Sequence, residues 1–288
     1  MKNIVIYCEG TAGSHDYDIL SKIVADLASK PIIFPLGGKK GAGGFINIHR
    51  KQTQIINFYL FFRDYDFDFE DKRLINEAQT AGLLIDDKKE NDGKIVGKWC
   101  ISYRTTIENY LFNPAHFFAF LEQRNECDKY NLHSEAAVKQ FFNEVAKELA
   151  PYQAVRHTLG KMRISTDFGT TFTKGSGNLP SQFDAEFCKN KAFVKINTAK
   201  NTAVKNWTEE QFEIIFNEFH TLFTAPEFYT NMDYLIWYQG KDFAKRITQK
   251  LPQFQIERYY NFAKKNFDYT QFPDLVELKT LIETAANS

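Results

Sequence analysis

Three aspartates stand at alternate positions after an apolar run, and their spacing suits metal chemistry. Residues 55–63 are mostly apolar, and Asp64, Asp66 and Asp68 follow them. Because alternate residues of a strand project to one face, the three carboxylates are expected on the same side. They repel one another unless a cation neutralises them, and all-oxygen ligation suits Mg²⁺ or Mn²⁺. The stretch therefore predicts a metal site, with a solvated strand end and an acidic turn as the alternative.

A second acidic residue ends an earlier apolar run. Residues 3–8 have the composition of a buried strand, which stops at Glu9 and Gly10. In an open parallel α/β sheet, ligands bind at the carboxyl edge of the strands. We therefore expect Glu9 to share a metal with Asp64 and Asp66.

The segments between these runs predict the order β-α-β-α-β. Residues 16–29 have helical spacing with Ser14 or Asp16 as N-cap, and residues 46–53 form a second helix. Residues 31–36 read as a strand between them, and residues 37–44 as a loop. This order predicts right-handed crossovers and a parallel, Rossmann-like sheet flanked by helices, hence an α/β fold.

The chain after residue 112 is expected to be mainly helical. Ser134 is a candidate N-cap for a helix that runs to residue 149 and ends at Pro151. Thr208 begins a second helix with the spacing of a capping box. We expect two regions: an α/β core over residues 1–112, and a helical region over residues 113–288 that packs on it.

Composition limits the class of protein. The chain has 288 residues, 43% of them hydrophobic, which is enough for a large core. No stretch of about 20 uncharged apolar residues predicts a membrane span, and the sequence opens directly into a strand without a secretory segment. The cysteines, at positions 8, 100, 127 and 188, form no zinc-binding pattern. A cytoplasmic protein with reduced thiols is expected.

Charge is unevenly distributed although the formal net charge is zero. Residues 64–92 carry ten acids and four bases, and residues 149–206 carry nine bases and three acids. A basic segment beside an acidic centre suits a polyanionic substrate, with a solvated lysine-rich surface as the alternative. The candidate nucleic-acid contacts are Lys39, Lys40, Arg156, Lys161, Arg163, Lys189, Lys191 and Lys195.

Four short sequence phrases occur in order along the chain. The first is Glu9-Gly10 with Ser14 and Asp16, and the second is Asp64-x-Asp66. The third reads Ile-Glu-Asn-Tyr-Leu at residues 107–111, and the fourth is Gly240-Lys241. They span residue 9 to residue 241 in this order, and together they resemble the Toprim superfamily, most closely a stand-alone Toprim-like family of unknown function.

This resemblance implies metal-dependent cleavage of phosphodiester bonds. Asp64 and Asp66 would hold Mg²⁺ or Mn²⁺, with Asp68 as an outer or second-metal ligand. Glu9 would bind metal or act as general acid or base. Lys241 would stabilise charge on the phosphate. Glu108 would complete a second metal site or, alternatively, pair with Arg104.

One branch of the family supplies the nuclease subunit of the PARIS anti-phage systems, which act by abortive infection. This chain is similar to that branch in size and motif order. The similarity implies a toxic effector that a separate ATPase controls, that dimerises when active and that cleaves RNA, such as transfer RNA, or DNA. The alternatives are an inactive Toprim-like module that binds nucleic acid or protein, and a metal-dependent phosphatase or nucleotide hydrolase.

Overall fold

The chain divides into two compact units. The computed structural model describes residues 4–27, 30–38, 41–53, 58–65, 82–90, 92–162, 179–200 and 208–287. The first unit comprises Met1–Tyr65, Thr80–Tyr103 and Lys264–Ser288, and the second comprises Asp66–Gln79 and Arg104–Ala263. The predicted boundary was at residue 112, whereas this division has a break between Tyr103 and Arg104. It also places Lys264–Ser288, which was expected in the helical region, in the first unit.

The first unit is built on a five-stranded, mostly parallel sheet in the order β2-β1-β3-β5-β4. Its strands are β1 (Ile4–Cys8), β2 (Ile32–Pro35), β3 (Phe58–Arg63), β4 (Leu84–Lys89) and β5 (Ile95–Ile101). β1 pairs in parallel with both β2 and β3, and β3 pairs in parallel with β5. The predicted α/β class and the order β-α-β-α-β are confirmed.

Two helices connect the first three strands. α1 covers His15–Ile23 and α2 covers Ala42–Thr53. α1 ends earlier than residue 29, the predicted end, because the chain turns at Val24–Asp26. Side chains of α2, β1, β3 and β5 form a buried apolar cluster, which consists of Val5, Tyr7, Ala42, Ile46, Tyr59, Phe61 and Val96. This packing fixes α2 on one face of the sheet.

The hairpin of β4 and β5 was not predicted. β4 is antiparallel to β5 and lies at the edge of the sheet. Its sequence, Leu-Ile-Asp-Asp-Lys-Lys, lacks the alternation of a half-buried strand. Charged side chains are common on edge strands because they oppose pairing with another chain. The same charged residues interrupt the apolar pattern from which a strand is predicted, so β4 was missed.

The second unit is helical in its described part. A short 3₁₀ helix covers Ile107–Tyr110. The α-helices that follow are α3 (Pro114–Gln123), α4 (Cys127–Tyr130), α5 (Glu135–Lys161), α6 (Ala185–Lys200), α7 (Glu209–Thr224), α8 (Pro226–Thr230), α9 (Tyr234–Trp237), α10 (Gly240–Lys250) and α11 (Ile256–Lys265). Aromatic rings fill much of its interior, among them Phe112, Phe142 and Phe243, which lie within 6.0 Å of one another between ring centroids.

The predicted end of the long helix at Pro151 is wrong. Pro151 lies inside α5, which continues to Lys161. Residues 152–160 of this helix are all buried. Burial of the second half of α5 therefore outweighs the lost hydrogen bond of the proline.

The predicted capping box at the start of α7 is confirmed. Gln211 N–H donates to Thr208 Oγ1 at 3.1 Å, and Thr208 N–H donates to Gln211 Oε1 at 3.0 Å. Ser134 likewise caps α5, because its hydroxyl accepts from Ala137 N–H at 3.1 Å.

The C-terminal helix completes the first unit. α12 covers Pro273–Asn287, and its Asp274 accepts a hydrogen bond from Tyr103 N–H at 3.0 Å. Glu277 accepts from Leu83 N–H at 2.7 Å, beside the start of β4. Among the described residues, no helix combines the length and the apolar composition needed to span a membrane.

Candidate active site

Glu9 and Asp64 lie at the carboxyl ends of neighbouring parallel strands. Cys8, the last residue of β1, is paired with Phe62 of β3. Glu9 comes directly after Cys8, and Asp64 comes two residues after Phe62, so both lie at the carboxyl ends of their strands. The chain leaves β1 towards β2 on one side and returns to β3 on the other. The carboxyl edge between β1 and β3 is therefore the topological switch point, where open α/β sheets bind ligands.

The turn after Glu9 is fixed by Asp16. Gly10 N–H donates to Asp16 Oδ2 at 2.7 Å, and the Ser14 hydroxyl lies within hydrogen-bonding distance of both Asp16 Oδ1 and Thr11 O. A Cβ at position 10 would lie 2.2 Å from Ser14 Oγ and 2.4 Å from Asp16 Oδ1. Only glycine fits there. Gly10, Ser14 and Asp16 thus have a structural role, which is to hold the turn that presents Glu9.

The donor chemistry of this edge fits a hard cation. Burial, and then the charge of Asp16, raise the pKa of the Cys8 thiol. Glu9 Oε2 is shielded from solvent and Asp64 is half-buried. Two carboxylates at one strand edge supply the oxygen ligands that Mg²⁺ and Mn²⁺ prefer.

The two other predicted ligands, Asp66 and Asp68, lie outside the described residues. Within the part of the chain that the structure describes, no group of three His, Cys, Asp or Glu side chains is placed to hold a metal ion. Of the four predicted metal ligands, the structure therefore describes two, Glu9 and Asp64.

Arg63, which sequence reasoning missed, is a buried cation whose Nε donates to the backbone carbonyl of Asp64 at 3.4 Å. It is the last residue of β3, with 7% of its surface exposed, and its backbone carbonyl accepts from Ser102 N–H at 2.9 Å. The sequence signal that could have identified it is a charged residue at the end of an apolar strand. Its position next to Asp64 adds a fixed positive charge to the same edge.

In the second unit, the predicted 107–111 and 240–241 phrases are in direct contact. Gly240 N–H donates to Thr106 Oγ1 at 2.9 Å, and Asn109 Nδ2 donates to Tyr238 O at 2.7 Å. A Cβ on Gly240 would lie 2.2 Å from Asn109 Oδ1 and 2.9 Å from the Cβ of Glu108. The asparagine and the glycine thus join the 3₁₀ helix to the start of α10.

Glu108 and Lys241 form an ion pair across this contact. Lys241 Nζ is 3.6 Å from Glu108 Oε1, and the exposed fractions of the two side chains are 54% and 6%. Glu108 Oε2 is buried with no hydrogen-bond partner among the described residues. Burial, and then the charge of Glu108, raise the pKa of the nearby Tyr260 phenol. Arg104 donates to Asn109 O at 2.6 Å.

The assignment of Arg156 to a nucleic-acid surface is wrong. Arg156 is 2% exposed, and its guanidinium forms an ion pair of 2.5 Å with Asp242 in the first turn of α10. Gln153 Nε2 also donates to this carboxylate at 2.9 Å. A buried, paired arginine fixes α10 on α5 and is inaccessible to a phosphate group.

The other basic candidates divide into three groups. Lys161 pairs with Glu218 at 2.8 Å and Lys189 with Glu213 at 2.9 Å, which links α5 and α6 to α7. Lys191 is exposed on α6. Lys39, Lys40, Arg163 and the side chain of Lys195 lie outside the described residues. The charge of the 149–206 segment is therefore partly neutralised by glutamates of α7.

Comparison with protein-family models and with curated protein sequences found no match. The Toprim resemblance thus rests on the four phrases and on the position of Glu9 and Asp64 in the sheet.

Proposed function

We propose that this protein is a metal-dependent nuclease of Toprim-like fold, with its catalytic centre at the carboxyl ends of β1 and β3. The observation that carries the proposal is the placement of Glu9 and Asp64 at the switch point of the sheet. Mg²⁺ or Mn²⁺ bound there would activate water and neutralise the charge that develops on the phosphate.

The protein's own residues have separate roles in this proposal. Asp64 binds the metal, together with Asp66 and with Asp68 as an outer ligand. Glu9 binds metal or exchanges a proton with the attacking or leaving oxygen. The hydrogen bond of 2.7 Å from Gly10 N–H to Asp16 Oδ2 fixes the backbone turn from which Glu9 projects.

Glu108 and Lys241 act, in this proposal, through the ammonium group of the lysine. Lys241 contacts a phosphate oxygen, and Glu108 orients Lys241. The ion pair of 3.6 Å and the burial of Glu108 support orientation of the lysine, and among the described residues Glu108 belongs to no group of three side chains that could hold a metal ion. Lys241→Ala is expected to slow cleavage.

The test of nuclease activity uses total RNA, transfer RNA, single-stranded DNA and plasmid DNA, each with Mg²⁺, Mn²⁺ or EDTA. Wild-type protein should cleave at least one substrate in the presence of metal. Glu9→Gln and Asp66→Asn should abolish cleavage without unfolding the protein. Asp128→Asn is the matched control, because the Asp128 side chain is 99% exposed in the second unit. Cleavage in EDTA, or undiminished cleavage by Glu9→Gln, would contradict the proposal.

We also propose, from the motif order alone, that the nuclease is a toxic effector in anti-phage defence and that a separate ATPase controls it. Induced expression of the wild-type chain without the ATPase should then reduce colony formation. Glu9→Gln should restore growth. Equal toxicity of the two proteins would contradict the effector role and leave the test of cleavage in vitro unaffected.

A further inference from the structure

A stretch without acidic residues runs from residue 27 to the end of β3. Residues 27–63 contain six lysines and arginines and no aspartate or glutamate, in a chain whose formal net charge is zero. The six are Lys30, Lys39, Lys40, Arg50, Lys51 and Arg63. Arg50 is paired with Glu90 at 3.1 Å, and Lys51 is exposed on α2. This stretch supplies β2, α2 and β3, of which α2 and β3 carry basic side chains and none carries an acidic one.

An aromatic shelf lies in the same stretch. It consists of Phe34, Phe45 and His49. Phe45 is 5.5 Å from Phe34 and 5.7 Å from His49 between ring centroids, with interplanar angles of 32° and 36°. His49 Nδ1 is 2.8 Å from the Tyr7 hydroxyl, which fixes the imidazole. Phe45 is 43% exposed, so one part of its ring packs on Phe34 and His49 and another part faces solvent.

The shelf lies towards the carboxyl edge that carries Glu9. Phe34 is paired with Tyr7, two residues before Glu9, and is the penultimate residue of β2. After β2, Leu36 N–H donates to Cys8 O and Gly37 N–H donates to Gly10 O, each at 2.9 Å. The chain therefore leaves β2 beside the Glu9 turn before it enters α2. A polymer bound at Glu9 would pass close to the Phe45 ring.

The chemistry of the shelf favours a nucleic acid over a protein partner. Ile32 and Ile48 are also exposed, at 66% and 57%, and an apolar protein surface would suit them. Nevertheless, α2 has Arg50 and Lys51 in its last turn and no acidic residue. Partly exposed rings beside basic residues are the usual platform for unpaired bases, which stack on aromatic side chains whatever their sequence. A duplex, whose bases are already stacked, leaves such a ring without a partner.

We propose that Phe45 stacks on an unpaired base and that the substrate is recognised here as single-stranded nucleic acid. The inference rests on the proposed function, since it names the form of nucleic acid that reaches the Glu9 edge.

The test measures binding, separately from cleavage. Fluorescently labelled 12-nucleotide oligo(dT), oligo(U) and a 12-base-pair DNA duplex are titrated in EDTA with wild type, Phe45→Leu and Phe45→Tyr. Phe45→Leu should weaken binding of the single strands by about 5-fold or more, the loss of one stacked base. Phe45→Tyr, which keeps a ring, should bind as wild type, and the duplex should bind more weakly than either single strand. Ile214→Ala is the control, because Ile214 is 57% exposed on α7 of the second unit.

The proposal is overturned if Phe45→Leu binds single strands as tightly as wild type, if the duplex binds as tightly as the single strands, or if wild type binds none of the three probes. Dimerisation of wild type that Phe45→Leu abolishes, with oligonucleotide binding unchanged, would instead assign the shelf to a second copy of the chain. Ring-dependent binding without cleavage would support the shelf and contradict the nuclease. Cleavage with no effect of Phe45→Leu on binding would support the nuclease and contradict the shelf.

Discussion

Gly240 shows how one position without a side chain shapes the second unit. The 3₁₀ helix approaches the start of α10 so closely that a methyl group at position 240 would lie 2.2 Å from Asn109 Oδ1 and 2.7 Å from Thr106 Oγ1. The hydrogen bond from Gly240 N–H to Thr106 depends on this approach. It also brings Lys241 within 3.6 Å of the Glu108 carboxylate.

Gly240→Ala should therefore destabilise the protein. The new methyl group forces Asn109 and Thr106 apart, and overpacking of this kind costs about 1–3 kcal/mol of unfolding free energy. Urea unfolding measures the change. Gly44→Ala is the matched control, because Gly44 lies in α2, a methyl group there would have no described atom within 4 Å, and alanine favours a helix. If the Gly240→Ala protein were as stable as wild type, Asn109 and Thr106 would have room to accommodate the methyl group, and the close approach would not be essential.

At the residue scale, the sequence identified the important positions better than their roles. Glu9 and Asp64 could be placed at one edge because strand ends of a parallel sheet coincide. Ser14 or Asp16 was expected as the cap of α1. Ser14 occupies the N-cap position without a side-chain cap hydrogen bond, and Asp16 accepts from Gly10 N–H and holds the turn at Glu9. Arg156 was expected at a surface and is buried against Asp242, a partner 86 residues away that sequence spacing could not reveal.

Among the secondary-structure elements, local signals succeeded where neighbours in sequence decide the structure. The capping box of α7 needs only Thr208 and Gln211, and the structure has both hydrogen bonds. Pro151 gave a misleading stop signal, since burial of the later part of α5 keeps that helix intact. The strand β4 was missed because its charged residues belong to an edge.

Thr208→Ala should lower stability by about 1 kcal/mol, since it removes the side-chain acceptor of the first turn of α7. Thermal unfolding compared at one pH measures the loss. Thr221→Ala, at an exposed position of the same helix, is the control and should be neutral or slightly stabilising. Equal effects of the two substitutions would mean that the cap contributes nothing specific.

Glu148 links α5 to α10, and its contribution should depend on pH. Burial raises the pKa of Glu148, but hydrogen bonds from Lys250 and Arg246 outweigh this and leave the pKa below its ordinary value. A carboxyl whose pKa falls on folding stabilises the native state above its unfolded pKa, about 4.3 for glutamate. That contribution is lost as the pH falls through the lower, folded value.

Glu148→Gln should therefore destabilise the protein at pH 7, by about 1 kcal/mol or less because the side chain is 36% exposed. The difference from wild type should disappear in acid, in urea unfolding repeated from pH 7 downwards. Glu144→Gln, at an exposed position one turn earlier, should show no such trend. A constant difference at every pH would show that the ion pairs are not its source.

For the whole molecule, the least predictable feature is the return of the chain to the first unit. Lys264–Ser288 belongs with the sheet, although the helical second unit separates the two in sequence. Contacts such as Tyr103 with Asp274, 171 residues apart, leave no periodic signal. The helical character of the second half, by contrast, follows from the period of its apolar residues.

Leu278→Ala should destabilise the first unit selectively. Leu278 is fully buried on α12, and truncation of a buried leucine costs about 2–5 kcal/mol. Hydrogen exchange should show lower protection in β1 and β3 and unchanged protection in α5. Val276→Ala, on the same helix at 39% exposure, is the control and should have little effect. Equal loss of protection in both units would show that they unfold as one.

The most direct test of the central claim is Mn²⁺ binding at the carboxyl edge of β1 and β3, followed by electron paramagnetic resonance without any substrate. Wild type should bind the ion, and Glu9→Gln and Asp64→Asn should each weaken binding by about ten-fold or more, equivalent to ~1.4 kcal/mol. Asp128→Asn, at a fully solvated position of the second unit, should bind as wild type. Wild-type affinity in both Glu9→Gln and Asp64→Asn would contradict a metal centre at this edge.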